Sequence, residues 1–288
     1  MDLLFAWIAS VASGITPLVI KASSKSLVKD PWLFNILWVG FGIPLVVLLA
    51  LLKGGGLPAN WISIGLLSLS SACFYIFYTT SLYRLDVTTI SPLFSLRTVF
   101  AVLLGLIFLN ESISGLGIAL IVSIILVSPL AAYDQKLKVK AFFHKNVLLV
   151  IFAMFSLALM GYFTNISVAR NGYATTLLWQ DLITLIILLP TLKFANIRKQ
   201  DVVPKKFIPF LLLGVTGFIY TAASTLAYAH NLALSSVIVS MPLSMVFAYV
   251  LSRMNKKYSE HHPPKVYVVR FLGASVMVFC AVWLSFIS

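Results

Sequence analysis

Apolar residues dominate the chain in stretches of about 20, a length that crosses about 30 Å of hydrocarbon as a helix. Ten such segments run at roughly 3–20, 32–52, 61–82, 89–109, 116–133, 147–166, 175–192, 207–228, 235–252 and 267–287. Helices are required because a lipid-facing backbone must satisfy its own hydrogen bonds. The strand-length alternation that a barrel needs is not seen. The connections are short, so the sequence predicts an all-α, polytopic membrane helix bundle.

The ten segments read as two copies of a five-segment unit. Aligning Gly14 with Gly161 also brings Trp32 onto Trp179, and Val99-Phe100-Ala101 onto Val246-Phe247-Ala248. The predicted repeats are 1–140 and 141–288 of one membrane domain. An odd number of crossings per copy turns the second copy upside down, the inverted symmetry on which many secondary transporters build alternating gates.

Composition agrees: mean hydropathy is +1.02, with 60% hydrophobic and only 10% charged residues, which excludes an ordinary soluble domain. The first segment opens on Asp2 and is followed by no clear small-residue cleavage site, so it is expected to stay as a span. Cys73 and Cys280 both fall inside spans and suggest packing, with no disulfide framework or metal site.

Formal net charge is +13. Apart from Arg97, the basic residues lie in connections after odd-numbered segments, with Lys53 and Arg170 the exceptions. By the positive-inside rule the odd loops are expected in the cytoplasm and both termini outside. The basic loops then meet anionic lipid heads, and nucleic acid is not an expected partner.

The stretch Arg97 to Ser114 resembles the end of the fourth helix in the EamA branch of the drug/metabolite transporter superfamily. Val99, Phe100, Ala101, Glu111 and Ser114 carry the match. Arg97-Thr98 replaces the family's frequent Glu-Pro, Asn110 its usual Gly, and the second half has no acidic residue matching Glu111. The resemblance implies a secondary carrier of a small metabolite, with a cavity lined mainly by spans 1, 3, 4, 6, 8 and 9. It also implies cytoplasmic termini, against the charge count.

Arg97 is the sharpest candidate, about eight residues into span 4. An arginine near mid-membrane costs at least about 2.5 kcal/mol, so it faces protein or water. Its planar fork suits a carboxylate or phosphate; the competing reading is a structural ion pair or bonds to carbonyls freed near Pro92. Asp181 in span 7 reads either as a coupling carboxylate or substrate-amine ligand, or as a helix cap. Glu111, at the end of span 4, reads as a helix-end contact.

Span 3 carries Ser68, Ser71, Tyr75, Tyr78 and Thr79 at helical spacing, and span 8 carries Thr216, Tyr220, Ser224 and Tyr228. These stripes, with Ser91 and Asn165, either line a cavity or form close helix contacts. Pro17, Pro92 and Pro242 are candidate hinges in spans 1, 4 and 9.

Trp32, Trp61 and Trp283 suit an interfacial belt, and His261-His262 reads as a solvated turn. No serine elbow, zinc helix or nucleotide loop is found, so neither enzyme chemistry nor a cofactor is expected. The expected partners are a small-molecule substrate, membrane lipids, and a proton or exchange substrate, with a monomer sufficient. The expected location is the plasma membrane. A lipid or lipid-linked-sugar flippase built on the same bundle is the alternative.

Overall fold

The computed structural model describes residues 2–26, 28–109, 114–131, 133, 144–195, 208–230, 238–254 and 263–287. The helices are α1 (Asp2–Ser26), α2 (Pro31–Lys53), α3 (Trp61–Arg84), α4 (Val87–Leu93), α5 (Leu96–Leu109) and α6 (Gly115–Ala131). They continue with α7 (Lys145–Asn171), α8 (Tyr173–Leu188), α9 (Ile208–His230), α10 (Leu243–Met254) and α11 (Pro264–Ile287). No strand occurs among the described residues. Eight helical segments are long and apolar enough to span a membrane, counting α4 with the start of α5 as one. The apolar helix Gly115–Leu130 is shorter.

Local sequence sets the helix ends. Asp30 accepts from Trp32 N at 2.9 Å and Leu33 N at 3.1 Å, with Pro31 at the first helical position of α2. Gly54, at φ 72°, ends α2 in the left-handed conformation open to glycine. Asn60 accepts from Ser63 N at 2.9 Å and starts α3. Gly172, at φ 79°, separates α7 from α8.

The fourth span is broken. Phe94, Ser95, Arg97 and Thr98 each donate their N–H to the carbonyl three residues back, at 3.0–3.2 Å. Such tight turns replace α-helical bonding in the stretch just after Pro92. Arg97 therefore sits in the first turn of a new half-helix, α5. The ninth span is broken as well: Ile238 and Val239 are helical, residues 240–242 leave the helix, and α10 starts at Leu243. Pro242, expected inside a helix, stands at that break. Pro17 lies inside α1.

The polarity is that of a membrane protein. Leu51, Ile62, Leu126 and Phe286 are each more than 70% exposed, while buried polar residues are mostly Ser and Thr. Small residues let spans approach closely. Ala6, Ala9, Ala223 and Ala227 pack α1 on α9, together with Ile238 and Val239. A Cβ on Gly14 of α1 would come within 2.9 Å of Phe247 and 3.0 Å of Leu243 on α10. In the other half, a Cβ on Gly161 of α7 would come within 3.2 Å of Arg97 Nη2. The glycines aligned by the sequence repeat thus each lie against a half-helix from the opposite half.

Two cations counted with the loops lie within helices. Lys21 of α1 donates to Leu82 O at 3.0 Å and Leu85 O at 2.6 Å, satisfying carbonyls at the end of α3. Arg270 of α11 is buried, with Nη1 on Thr88 Oγ1 at 2.6 Å and Nε on Tyr133 O at 3.0 Å. At the other end, Asn60 N donates to Asn171 Oδ1 at 2.7 Å and Trp179 Nε1 to Gly56 O at 2.8 Å. The rings of Trp61 and Trp179 meet edge-on at 4.9 Å.

Candidate functional site

A partly open cavity lies among the spans. Ser13 and Thr16 of α1 line it, with Phe74, Tyr75 and Tyr78 of α3, and Phe94 and Arg97 at the break of span 4. Met160 of α7, Gly217, Tyr220 and Thr221 of α9, and Val239 complete the wall contributed by spans 1, 3, 4, 6, 8 and 9. Trp38 of α2 and Gln180 of α8 also line it.

Arg97 is only 2% exposed, yet it reaches the cavity wall. Gly161 leaves the room its guanidinium occupies; any side chain there would press on Nη2. The first turn of α5 adds the positive end of a helix dipole in the same place. Around this cation the wall is aromatic. Trp38 and Tyr75 meet edge-on at 4.8 Å, Phe74 and Tyr78 stack at 5.0 Å, and Tyr78 meets Phe94 edge-on at 5.6 Å.

The span-3 stripe divides between two neighbours. Tyr75 and Tyr78 face the cavity, whereas Ser68 and Ser71 face α8. Ser68 Oγ donates to Gln180 O at 3.2 Å, Thr184 Oγ1 to Ser68 O at 3.3 Å, and Gln180 Nε2 to Ser71 Oγ at 3.1 Å. Gln180 is 3% exposed, and its Oε1 takes no hydrogen bond from the described residues. Thr79 is fully buried and its hydroxyl is likewise without a partner among them.

The remaining candidates scatter. Tyr220 lines the cavity, while Ser224, one turn on, donates to Thr221 O at 3.2 Å. Ser91 is buried in the seam between the two broken spans. Ser244 Oγ donates to Ser91 Oγ at 2.6 Å, and Met245 N donates to it at 3.2 Å. Asn165 lies on the exposed side of α7. Asp181 is half-buried beside Gln180. Glu111, His261, His262 and the side chain of Tyr228 lie outside the described residues.

Sequence reasoning missed Gln180 and Trp38. Gln180 carried a signal: with Asp181 it forms a polar pair in an otherwise apolar span. The family resemblance, which leaves span 7 out of the cavity, pointed the other way. Trp38 carried none, being one more aromatic in an apolar run.

Comparison with known proteins bears on the chain as a whole. Residues 1–131 match the EamA-like transporter family, a stretch running from the start of the chain to the end of α6. That match covers a little under half of the chain and likens its first part to a transporter family; the long apolar helices support a multi-pass integral membrane protein. A solved crystal structure superposes on 99% of this chain and 97% of its own, with a TM-score of 0.65 at 12% identity. That is a likeness of fold. No curated protein matches the sequence.

Proposed function

We propose that this chain, whose first half is of the EamA-like transporter type, is a secondary carrier. On this reading it moves a small organic anion or zwitterion, amino acids among them, across the plasma membrane by alternating access. One observation carries the proposal: Arg97, buried inside an apolar span, stands on the wall of a cavity lined by spans from both halves. A charge at that depth is costly and is retained where it meets protein, water or a ligand. Its fork, at the start of a half-helix, is suited to a carboxylate.

Substrate would enter the cavity from one face, pair its anionic group with Arg97, and leave from the other face after the broken spans rearrange. Pro17, Pro92 and the break at Pro242 supply the flexible points. Either a proton gradient, with Asp181 as the coupling carboxylate, or exchange would drive the cycle. The charge pattern supports cytoplasmic odd loops. A flippase needs a polar groove open to lipid; a cavity walled by aromatic rings from many spans favours a carrier of small molecules.

The test is binding and uptake. A ligand at about a hundred times its Kd stabilises the native state by roughly 2.7 kcal/mol. Amino acids, nucleobases, sugar phosphates and organic cations are screened by thermal shift beside Arg97→Ala. Stabilisation by an anionic or zwitterionic class that the variant loses supports the reading. Stabilisation by cations alone, undiminished in the variant, sinks it.

A further inference from the structure

We propose that Gln180 is a specificity-determining residue. Its carboxamide oxygen accepts a hydrogen bond from an ammonium group of the transported molecule while Arg97 holds the acid group. The substrate is then an amino acid with an apolar side chain, a narrower class than anions at large. This inference rests on the carrier reading above.

The geometry points to an acceptor with an unfilled place. Gln180 lines the cavity, is 3% exposed, and spends Nε2 on Ser71 Oγ at 3.1 Å. Its Oε1 is buried and has no partner among the described residues. A buried carbonyl oxygen left unmet is costly, so such an atom is retained where something fills it. The amide is also held still. Ser68 Oγ on Gln180 O and Thr184 Oγ1 on Ser68 O fasten α8 to α3 immediately around it. Binding to a fixed acceptor loses little side-chain freedom.

The rest of the wall fits the same molecule. Arg97 offers donors for a carboxylate, and Gln180 the matching acceptor for a nitrogen. On the same wall the rings of Trp38, Tyr75 and Tyr78 present apolar faces that suit a hydrocarbon side chain and attract an ammonium as well. Gly217 keeps the wall open beside Trp38, where a Cβ would come within 3.1 Å of Nε1. Asp181 is the rival holder of the ammonium. It does not line the cavity, and as the next residue on the helix it points about 100° away from Gln180.

The experiment compares pairs that differ by the ammonium alone: phenylalanine with 3-phenylpropionate, and leucine with 4-methylpentanoate. Dissociation constants are measured by calorimetry on folded wild-type protein and on Gln180→Met, Gln180→Glu, Asp181→Asn and Arg97→Ala. The wild type is expected to bind the amino member about ten- to a hundredfold more tightly, the range for a hydrogen bond to a charged group. Gln180→Met brings the two members of a pair to similar affinity. Gln180→Glu, which keeps an acceptor oxygen, retains the preference, and Asp181→Asn leaves it unchanged.

An unchanged preference in Gln180→Met, or a preference lost in Asp181→Asn, overturns the proposal. So does loss of the preference in Gln180→Glu, which also decides the matter if the methionine variant does not fold. Equal binding of both members by the wild type, abolished by Arg97→Ala, removes Gln180 and leaves the carrier reading standing. Failure of all four probes to bind the wild type removes this proposal and leaves the carrier reading to the wider ligand screen above.

Discussion

Gly161 stands directly against Arg97: a methyl group at this glycine would lie 3.2 Å from Nη2. The glycine lets α7 pass close to the start of α5, so the guanidinium is positioned partly by the absence of a side chain. Gly161→Ala should push the guanidinium by a few tenths of an ångström and cost about 1 kcal/mol in stability. Substrate affinity should fall more than this, because a planar fork tolerates little misalignment. Thermal unfolding and ligand titration of one sample separate the two effects. Unaltered affinity would place the guanidinium outside the binding geometry.

Arg97→Lys should fail to restore what Arg97→Ala removes. Lysine keeps the charge and loses the bidentate fork. Uptake into proteoliposomes is expected to fall at least about tenfold in both variants while membrane insertion is retained, the scale of one lost charged hydrogen bond. Full uptake by the lysine variant would reduce the role of Arg97 to a point charge.

Asp181→Asn should flatten the response of uptake to an imposed proton gradient if Asp181 carries the coupling proton. The readout is the ratio of uptake with and without the gradient in the same vesicles. A ratio equal to that of the wild type returns Asp181 to a structural role on α8.

Ser91→Ala should destabilise the fold by about 1 kcal/mol, the usual cost of losing a cap. Ser91 Oγ accepts from both Ser244 Oγ and Met245 N, so one hydroxyl satisfies a donor in the first turn of α10 from across the seam. Chemical denaturation in detergent measures the change. A shift below about 0.3 kcal/mol would mean that water replaces the bond without cost.

The spans were legible because about 20 apolar residues in a row have one stable form in hydrocarbon. Arg97 was legible for the same reason, since a charge in such a run needs a purpose. The tyrosines of span 3 followed from helical spacing. Asn165 shows where that reasoning stops: it neighbours Thr164, which is buried, yet lies on the opposite, exposed side of α7. One polar residue in a uniformly apolar helix does not say which side faces the bundle. Lys21 and Arg270 show a second limit. A cation near the end of an apolar segment looks the same in sequence whether it meets lipid heads or closes on carbonyls of another helix. Gln180 shows a third, because its place on the wall depends on bonds to Ser68 and Ser71, more than a hundred residues away. The break at Phe94 and Ser95 was signalled by Pro92, but its position depends on which carbonyls the following N–H groups find.

Ser91 and Ser244 join two half-helices, each ending in mid-membrane, where water cannot take over an abandoned backbone group. One donor of the second half-helix, Met245 N, is shared between Pro242 O of its own segment and Ser91 Oγ of the other half. Moving span 4 against span 9 parts the Ser91–Ser244 hydroxyl pair and leaves both hydroxyls to find new partners. Movement at this seam must be an exchange of partners made by both halves in the same step, so the molecule has a built-in reason to avoid opening both faces at once.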